Sequence, residues 1–165
     1  MPKIDKRALE PRHRQAYPGR LRQHTSGCWK WMLSDAGGLT QFGAGEIELA
    51  PGSASSLYHW HMHEDEFVYV LSGEVVLVED GLETILRKGD CATFKAGERV
   101  GHSFENRGSM PARLLEVGTR ARAGETVYYP GLDMIYRREA SGRWFETHAG
   151  RRLSGTDEVR QLLDD

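Results

Sequence analysis

The chain has 165 residues, a net charge of -2 and a pI near 6.4, so a compact fold burying about 70% of its unfolded surface is expected. That balance offers no basic field for nucleic acid or anionic lipid. Its two cysteines, Cys28 and Cys91, are too few for a disulfide framework. No apolar run approaches a membrane span, and the opening MPKIDKRALEPRHRQ lacks the hydrophobic region of a signal peptide, which makes the cytoplasm the expected compartment.

Residues 1–26 are rich in Arg, Lys, Pro and Gly, and Pro11 and Pro18-Gly19 stop a long helix. An extended N-terminal arm is expected there. Residues 27–140 read as short strands between turns. CWKWML alternates, Gly37-Gly38 turns, LTQFG and EIELA follow, and Pro51-Gly52 leads into a histidine-rich stretch. FVYVL and EVVLVED flank Ser72-Gly73, and Asp80-Gly81 predicts a tight hairpin into LETILR, because glycine accepts positive φ without strain. CATFKAG, VGHSFEN and ARLLEVGT complete the series, and turns at this frequency predict an all-β sandwich or closed barrel. In residues 141–165 and the stretch before them the periods are less clean. Tyr128, Tyr129, Met134, Ile135 and Tyr136 suit another strand or a cover for one barrel mouth. Thr156 could cap a short C-terminal helix, TDEVRQLLDD.

The stretch GSASSLYHWHMHEDEFVYVLSG, residues 52–73, gathers the metal-ligand types. His59, His61 and His63 stand at alternate positions, which in a strand share one face. Glu66 has the opposite parity, but a turn between it and His61 can bring its carboxylate back to the rings. Downstream, His102 stands in GDCATFKAGERVGHSFEN with strand-like neighbours and could supply a further nitrogen. Three nitrogens and one oxygen suit a divalent transition metal (Fe, Mn, Ni, Zn or Cu) over Mg or Ca. An ion preferring six neighbours would keep positions open for chemistry.

These two stretches resemble the paired motifs of the cupin superfamily. Gly52, His59, His61, Glu66 and Gly73 follow the first motif with one extra residue after Gly52. Gly89, Gly97, His102 and Asn106 follow the second, with Lys95 in place of a proline and a gap from Gly97 to His102 two residues longer. The phrases EDEFVYVLSGEVVLVEDG, GDCATFKAG and ARLLEVGTR are similar to a bacterial group of single-domain cupins, some labelled sugar-phosphate isomerases. The resemblance implies a double-stranded β-helix, or jelly-roll, barrel, with His59, His61, Glu66 and His102 as metal ligands. His63 is the alternative to His59, and the family spacing favours His59. The resemblance also suggests an arm packing across a partner subunit, in a homodimer.

Several further residues invite a role. Gln41, Tyr58, Trp60, Phe67, Tyr69, Phe94 and Phe104 are candidates for a pocket wall, although core packing is the plainer reading of β-barrel aromatics. Glu64 and Asp65 read as solvent-facing acids or as supports for the ligands. Cys91 reads as a small buried filler. Lys95 reads as exposed, with phosphate binding as the sharper alternative. Tyr69, or Glu66 released from the metal, is a candidate base. The functional expectation is a metal-dependent isomerase or dioxygenase acting on a small polar molecule, with no nucleic-acid or membrane partner. The rival is a non-catalytic binder of a small ligand.

Overall fold

The computed structural model describes residues 3–13 and 17–162. A six-stranded antiparallel sheet runs β1 (Arg12–His13), β2 (Cys28–Met32), β3 (Phe42–Leu49), β10 (Ala112–Thr119), β5 (Glu66–Ser72), β8 (Cys91–Phe94). Facing it is a three-stranded sheet, β7 (Leu82–Arg87), β6 (Glu74–Glu79), β9 (His102–Glu105). A five-stranded sheet follows the order β14 (Arg152–Leu153), β13 (Gly142–Glu146), β12 (Ile135–Glu139), β11 (Glu125–Tyr128), β4 (Trp60–His61). The arrangement is a jelly-roll β barrel, as expected.

Alternation builds the core. In β5, Val68 and Val70 are buried while Tyr69 is exposed, and in β10 Ala112 and Leu114 are buried. These side chains meet Cys28, Ile47, Leu49, Val75, Leu77, Leu86 and Phe104 between the six- and three-stranded sheets. Each fully buried aliphatic side chain contributes about 1.5–3 kcal/mol. A second cluster, Tyr17, Leu57, Val127, Tyr129 and Met134, packs under the five-stranded sheet with Phe145 and Val159 at its edge. The β6–β7 hairpin closes through Asp80 and Gly81 at φ 49° and 72°, both in the left-handed region that a two-residue turn matched to strand twist requires.

Three local expectations change. LTQFG and EIELA become one strand, β3, with Leu33–Ala36 forming a helical turn, α1, before it. The N-terminal segment closes on its own chain. Gly19 N donates to Gly155 O at 3.1 Å, Arg20 pairs with Glu158 at 3.1 Å, and β1 adds to β2. The C-terminal helix does not form in Thr156–Leu162; residues 163–165 lie outside the described residues. Instead the segment runs alongside the loop at 131–133. Asp133 N donates to Arg160 O and Leu162 N to Gly131 O, each at 2.9 Å, and Val159 packs at the second core. A lone helix of this length is marginal in water, and pairing with existing backbone while anchoring Val159 satisfies the same groups at less entropic cost.

Candidate metal centre

The histidine strand is held on both sides. His59 and His102 form an antiparallel bridge, with His102 N donating to His59 O at 2.8 Å and His59 N to His102 O at 3.2 Å. β4 pairs with β11 at Val127↔His61 and Tyr128↔Trp60. Trp60, of opposite parity, is buried and stacks on Tyr128 with ring centroids 4.4 Å apart. The chain then turns through residues 62–65, pinned by Thr119 Oγ1 accepting from Asp65 N at 2.9 Å and by Asp65 Oδ1 accepting from Ala96 N at 2.8 Å. This turn delivers Glu66 to the start of β5, facing the rings.

Three of the four converge, and His102 meets them at Glu66. His59, His61 and Glu66 each offer a ligand atom, all within 4.8 Å of one another. His59 Nε2 lies 3.0 Å from His61 Nε2, and Glu66 Oε2 lies 3.6 Å from His61 Nε2 and 3.1 Å from His102 Nε2. The His102 ring is 2% exposed, stacked on Phe94 at 3.5 Å between centroids. His63 stands outside this group, its ring half-exposed and 4.0 Å from Glu125.

Hydrogen bonding prepares these atoms for a cation. His59 Nδ1 is 2.8 Å from Leu57 O. A carbonyl only accepts, so in the neutral ring Nδ1 carries the proton and Nε2 keeps its lone pair. That lone pair aims at His61 Nε2, a contact that needs a proton or a cation between the rings. Buried polar side-chain atoms without a hydrogen-bond partner, among the described residues, are His61 Nδ1, His102 Nδ1 and Glu125 Oε2. All three belong to this cluster or its immediate neighbour, and unmet polar groups of this kind mark functional sites.

Glu125 was not a candidate from sequence. It sits at the start of β11, its side chain almost wholly buried, and its Oε1 accepts Met62 N at 2.9 Å and His63 N at 3.2 Å. His61 Nδ1 lies 3.9 Å from Glu125 Oε1. Burial pushes its carboxyl above the usual range, partly opposed by the His63 and Met62 N–H groups and by His61, while Glu64 adds to the rise. Glu64 is itself occupied: Oε1 accepts from Ala121 N at 2.8 Å and pairs with Arg138 at 2.5 Å. It therefore fixes the strand end rather than facing bulk solvent.

His59, Glu66 and His102 line a cavity of about 10 Å³, room for about one water. Ser55, Ser56, His59, Glu66, His102 and Glu116 supply its polar wall, and Ile47, Val68, Phe104 and Leu114 its apolar wall. Glu116 pairs with Lys30 across β3. A wider groove of about 700 Å³ runs along β5, β8 and β10, lined in part by Phe42, Phe67, Phe94 and Lys95.

The sequence of residues 45–118 matches the family model described as "Cupin domain". A sugar phosphate isomerase from a cupin superfamily, from Silicibacter pomeroyi, has a solved structure that is 46% identical. The match covers 93% of this chain and 97% of that one at a TM-score of 0.88. The chain belongs to the cupin superfamily. A second solved structure, of a protein described as a "putative sugar phosphate isomerase" from Acidithiobacillus ferrooxidans, is 30% identical over 77% of this chain and 80% of that one, with a TM-score of 0.69. The tetracenomycin polyketide synthase protein TcmJ of Streptomyces glaucescens is 32% identical over 68% of each chain.

Within this cupin, the proposed wall residues separate. Phe94 and Phe104 face the interior with His102. Tyr58 fills the space over Gly101, where a Cβ would lie 2.4 Å from its ring, and its hydroxyl accepts Asp80 N at 3.0 Å. Gln41 is exposed, Phe67 lines the outer groove, and Tyr69 points away from the cavity. Tyr69 is thereby removed as the base, because its parity opposes that of Glu66, Val68 and Val70. Cys91 is exposed on β8, and the buried apolar filler is Cys28. Lys95 is exposed in acidic company, sharing its groove with Asp65, Glu66 and Glu98, which disfavours a phosphate there. No helix among the described residues is long and apolar enough to cross a membrane.

Proposed function

We propose that this cupin is a metal-dependent enzyme that isomerises a small polar substrate of the sugar-phosphate class, with His59, His61, Glu66 and His102 holding a divalent transition metal. The observation that carries the reading is the grouping of His59, His61 and Glu66, with His102 in contact with Glu66, beside a cavity of about 10 Å³, and with the His59 lone pair already set by Leu57 O. The 46% identity to a protein described as a sugar phosphate isomerase supports the substrate class. When bound, such an ion supplies Lewis-acid polarisation of a carbonyl or hydroxyl.

The chain's own groups then do the rest. Ser55 and Ser56 offer hydroxyls to orient the substrate, and Phe94, Phe104 and Leu114 keep bulk water out. Glu116, on the same wall, accepts a proton from the hydroxyl-bearing carbon and returns it to the carbonyl carbon, while the hydroxyl proton passes from the first oxygen to the second, so that aldehyde and ketone interconvert without net change of atoms. A dioxygenase reading needs a redox-active ion and consumption of O₂. The non-catalytic reading is favoured by one similarity: the oxalate-binding protein of Thermotoga maritima is 37% identical over 71 residues, covering 43% of this chain and 56% of that protein.

Elemental analysis combined with a screen of aldose and ketose phosphates in D₂O tests these readings. The expected result is about one transition metal per chain and deuterium entering the carbon next to the carbonyl. O₂ uptake without exchange would select the dioxygenase, and tight stoichiometric binding without turnover would select the binder. The cytoplasmic homodimer belongs to the same proposal, and a monomer mass in light scattering would remove the dimer.

A further inference from the structure

The inward face of the six-stranded sheet is almost wholly apolar. Along β2, β3, β10, β5 and β8, the positions sharing parity with buried Cys28, Ile47, Leu49, Val68, Val70, Ala112 and Leu114 carry three charged side chains: Glu66, Lys30 and Glu116. Glu66 belongs to the tetrad. Lys30 and Glu116 pair with each other at 14% and 17% side-chain exposure. They come from strands that do not touch, since β3 lies between β2 and β10.

Glycine makes that crossing available. Glu116 is in register with Gly45, and Lys30 with Ile47 two residues along β3. The Lys30 stem passes over Gly45, where a Cβ would lie 2.6 Å from Lys30 Cε and 3.3 Å from Cγ. Gly45 does not sit at positive φ, so backbone freedom does not explain it, whereas space for the lysine does. A largely buried ion pair adds little net stability, because desolvation offsets attraction. Holding a cation against the wall of the candidate site is the better account of the arrangement.

We infer that Lys30 is the substrate-anion residue of this cavity, taking a phosphate-ester or carboxylate oxygen of the substrate in exchange for Glu116. The cavity as it stands holds about one water, so admitting a substrate requires side chains to move. Lys30 and Glu116 are flexible, partly exposed groups that can separate without disturbing the strands. The exchange also moves Lys30 off Glu116 beside the bound substrate. The inference rests on reading this cavity as the substrate site and deepens that reading by naming the charge it selects.

The test is calorimetric titration of inorganic phosphate and, separately, acetate into the protein as purified and after chelation. Lys30→Met is expected to weaken binding of the preferred anion by about tenfold or more, and Glu116→Gln to strengthen it several-fold, since the competing carboxylate is gone. Lys30→Arg should stay within about threefold of wild type. Gly45→Ala, which keeps both charges but displaces the lysine stem, should weaken binding. Preference for phosphate assigns the ester, and preference for acetate the carboxylate. Equal binding by wild type and Lys30→Met, weakening of the same size in Lys30→Met and Glu116→Gln, or no anion binding at all would overturn the inference. Lys30-dependent binding in a protein that holds no metal would sink the metal reading alone. A metal-loaded protein whose anion binding ignores Lys30 would do the reverse.

Discussion

The two cores of this cupin are built differently. The barrel core is aliphatic and spans two sheets, with Ile47, Leu49, Val70 and Leu114 all within 1% of full burial. The core under the five-stranded sheet is smaller and aromatic, with Tyr17 meeting Tyr129 edge-on at 5.8 Å and Phe145 at 5.7 Å. The candidate metal centre lies where they join. Glu66 comes from the barrel sheet, and His61 from a two-residue strand held by β11. A cation bound there would tie a robust region to a less robust one, and each can be broken separately.

The largest effects are expected from core truncation. Leu114→Ala should lower global stability by about 3 kcal/mol, as expected when a buried leucine leaves a cavity, read as a lower denaturant midpoint. Met134→Ala should cost about 2 kcal/mol or more. Its effect should appear first as faster amide exchange in β11–β13, with metal affinity falling as β4 loosens. Uniform loss of protection throughout both sheets in Met134→Ala would show that the two cores form one cooperative unit.

Next come the ligands, one from each side. His61→Ala and His102→Ala should each lose most of the bound metal in elemental analysis while keeping the far-ultraviolet signature of the barrel. Chelation of the wild type should lower its melting temperature, because a ligand present at about 100 times its Kd stabilises the native state by about 2.7 kcal/mol. Unchanged metal content in both variants would dismantle the assignment.

How much of this was legible in the chain follows the same division. The barrel and the His59, His61, Glu66 cluster are local in sequence, written in strand alternation and short spacings. His102 was reachable because its neighbours read as a strand. Glu125 and the Lys30–Glu116 pair were not. Each is one charged residue in an otherwise ordinary strand, and its meaning depends on which strand becomes its neighbour. Nothing around Gly45 in the sequence signals room for a lysine from the next strand. The expected C-terminal helix failed for the same reason: its capping residues were right locally, but pairing with residues 131–133 won.

Glu125→Gln should sharpen the boundary between the cores at smaller cost. It keeps an acceptor for Met62 N and His63 N but removes the charge near His61. Changes to groups supporting a ligand cost about 10–100-fold in metal affinity, so a fall in that range is expected in competition with a chelator. An unchanged affinity would confine Glu125 to holding the turn after His61.

The smallest effect concerns acid and the five-stranded sheet alone. The Trp144 indole, donating at 2.8 Å, and Arg137, at 2.9 Å, hold the Glu146 carboxyl below its usual range. A carboxyl whose folded pKa is depressed contributes stability above its unfolded value, near 4.3, and loses it as pH falls through the folded value. Glu146→Gln should therefore melt below wild type at neutral pH, and the gap should close as pH drops beneath about 4. Leu114 carries no titratable group, so Leu114→Ala should keep its deficit over the same range. A Glu146→Gln gap that stays constant with pH would mean the variant acts through packing against Trp144 and not through charge.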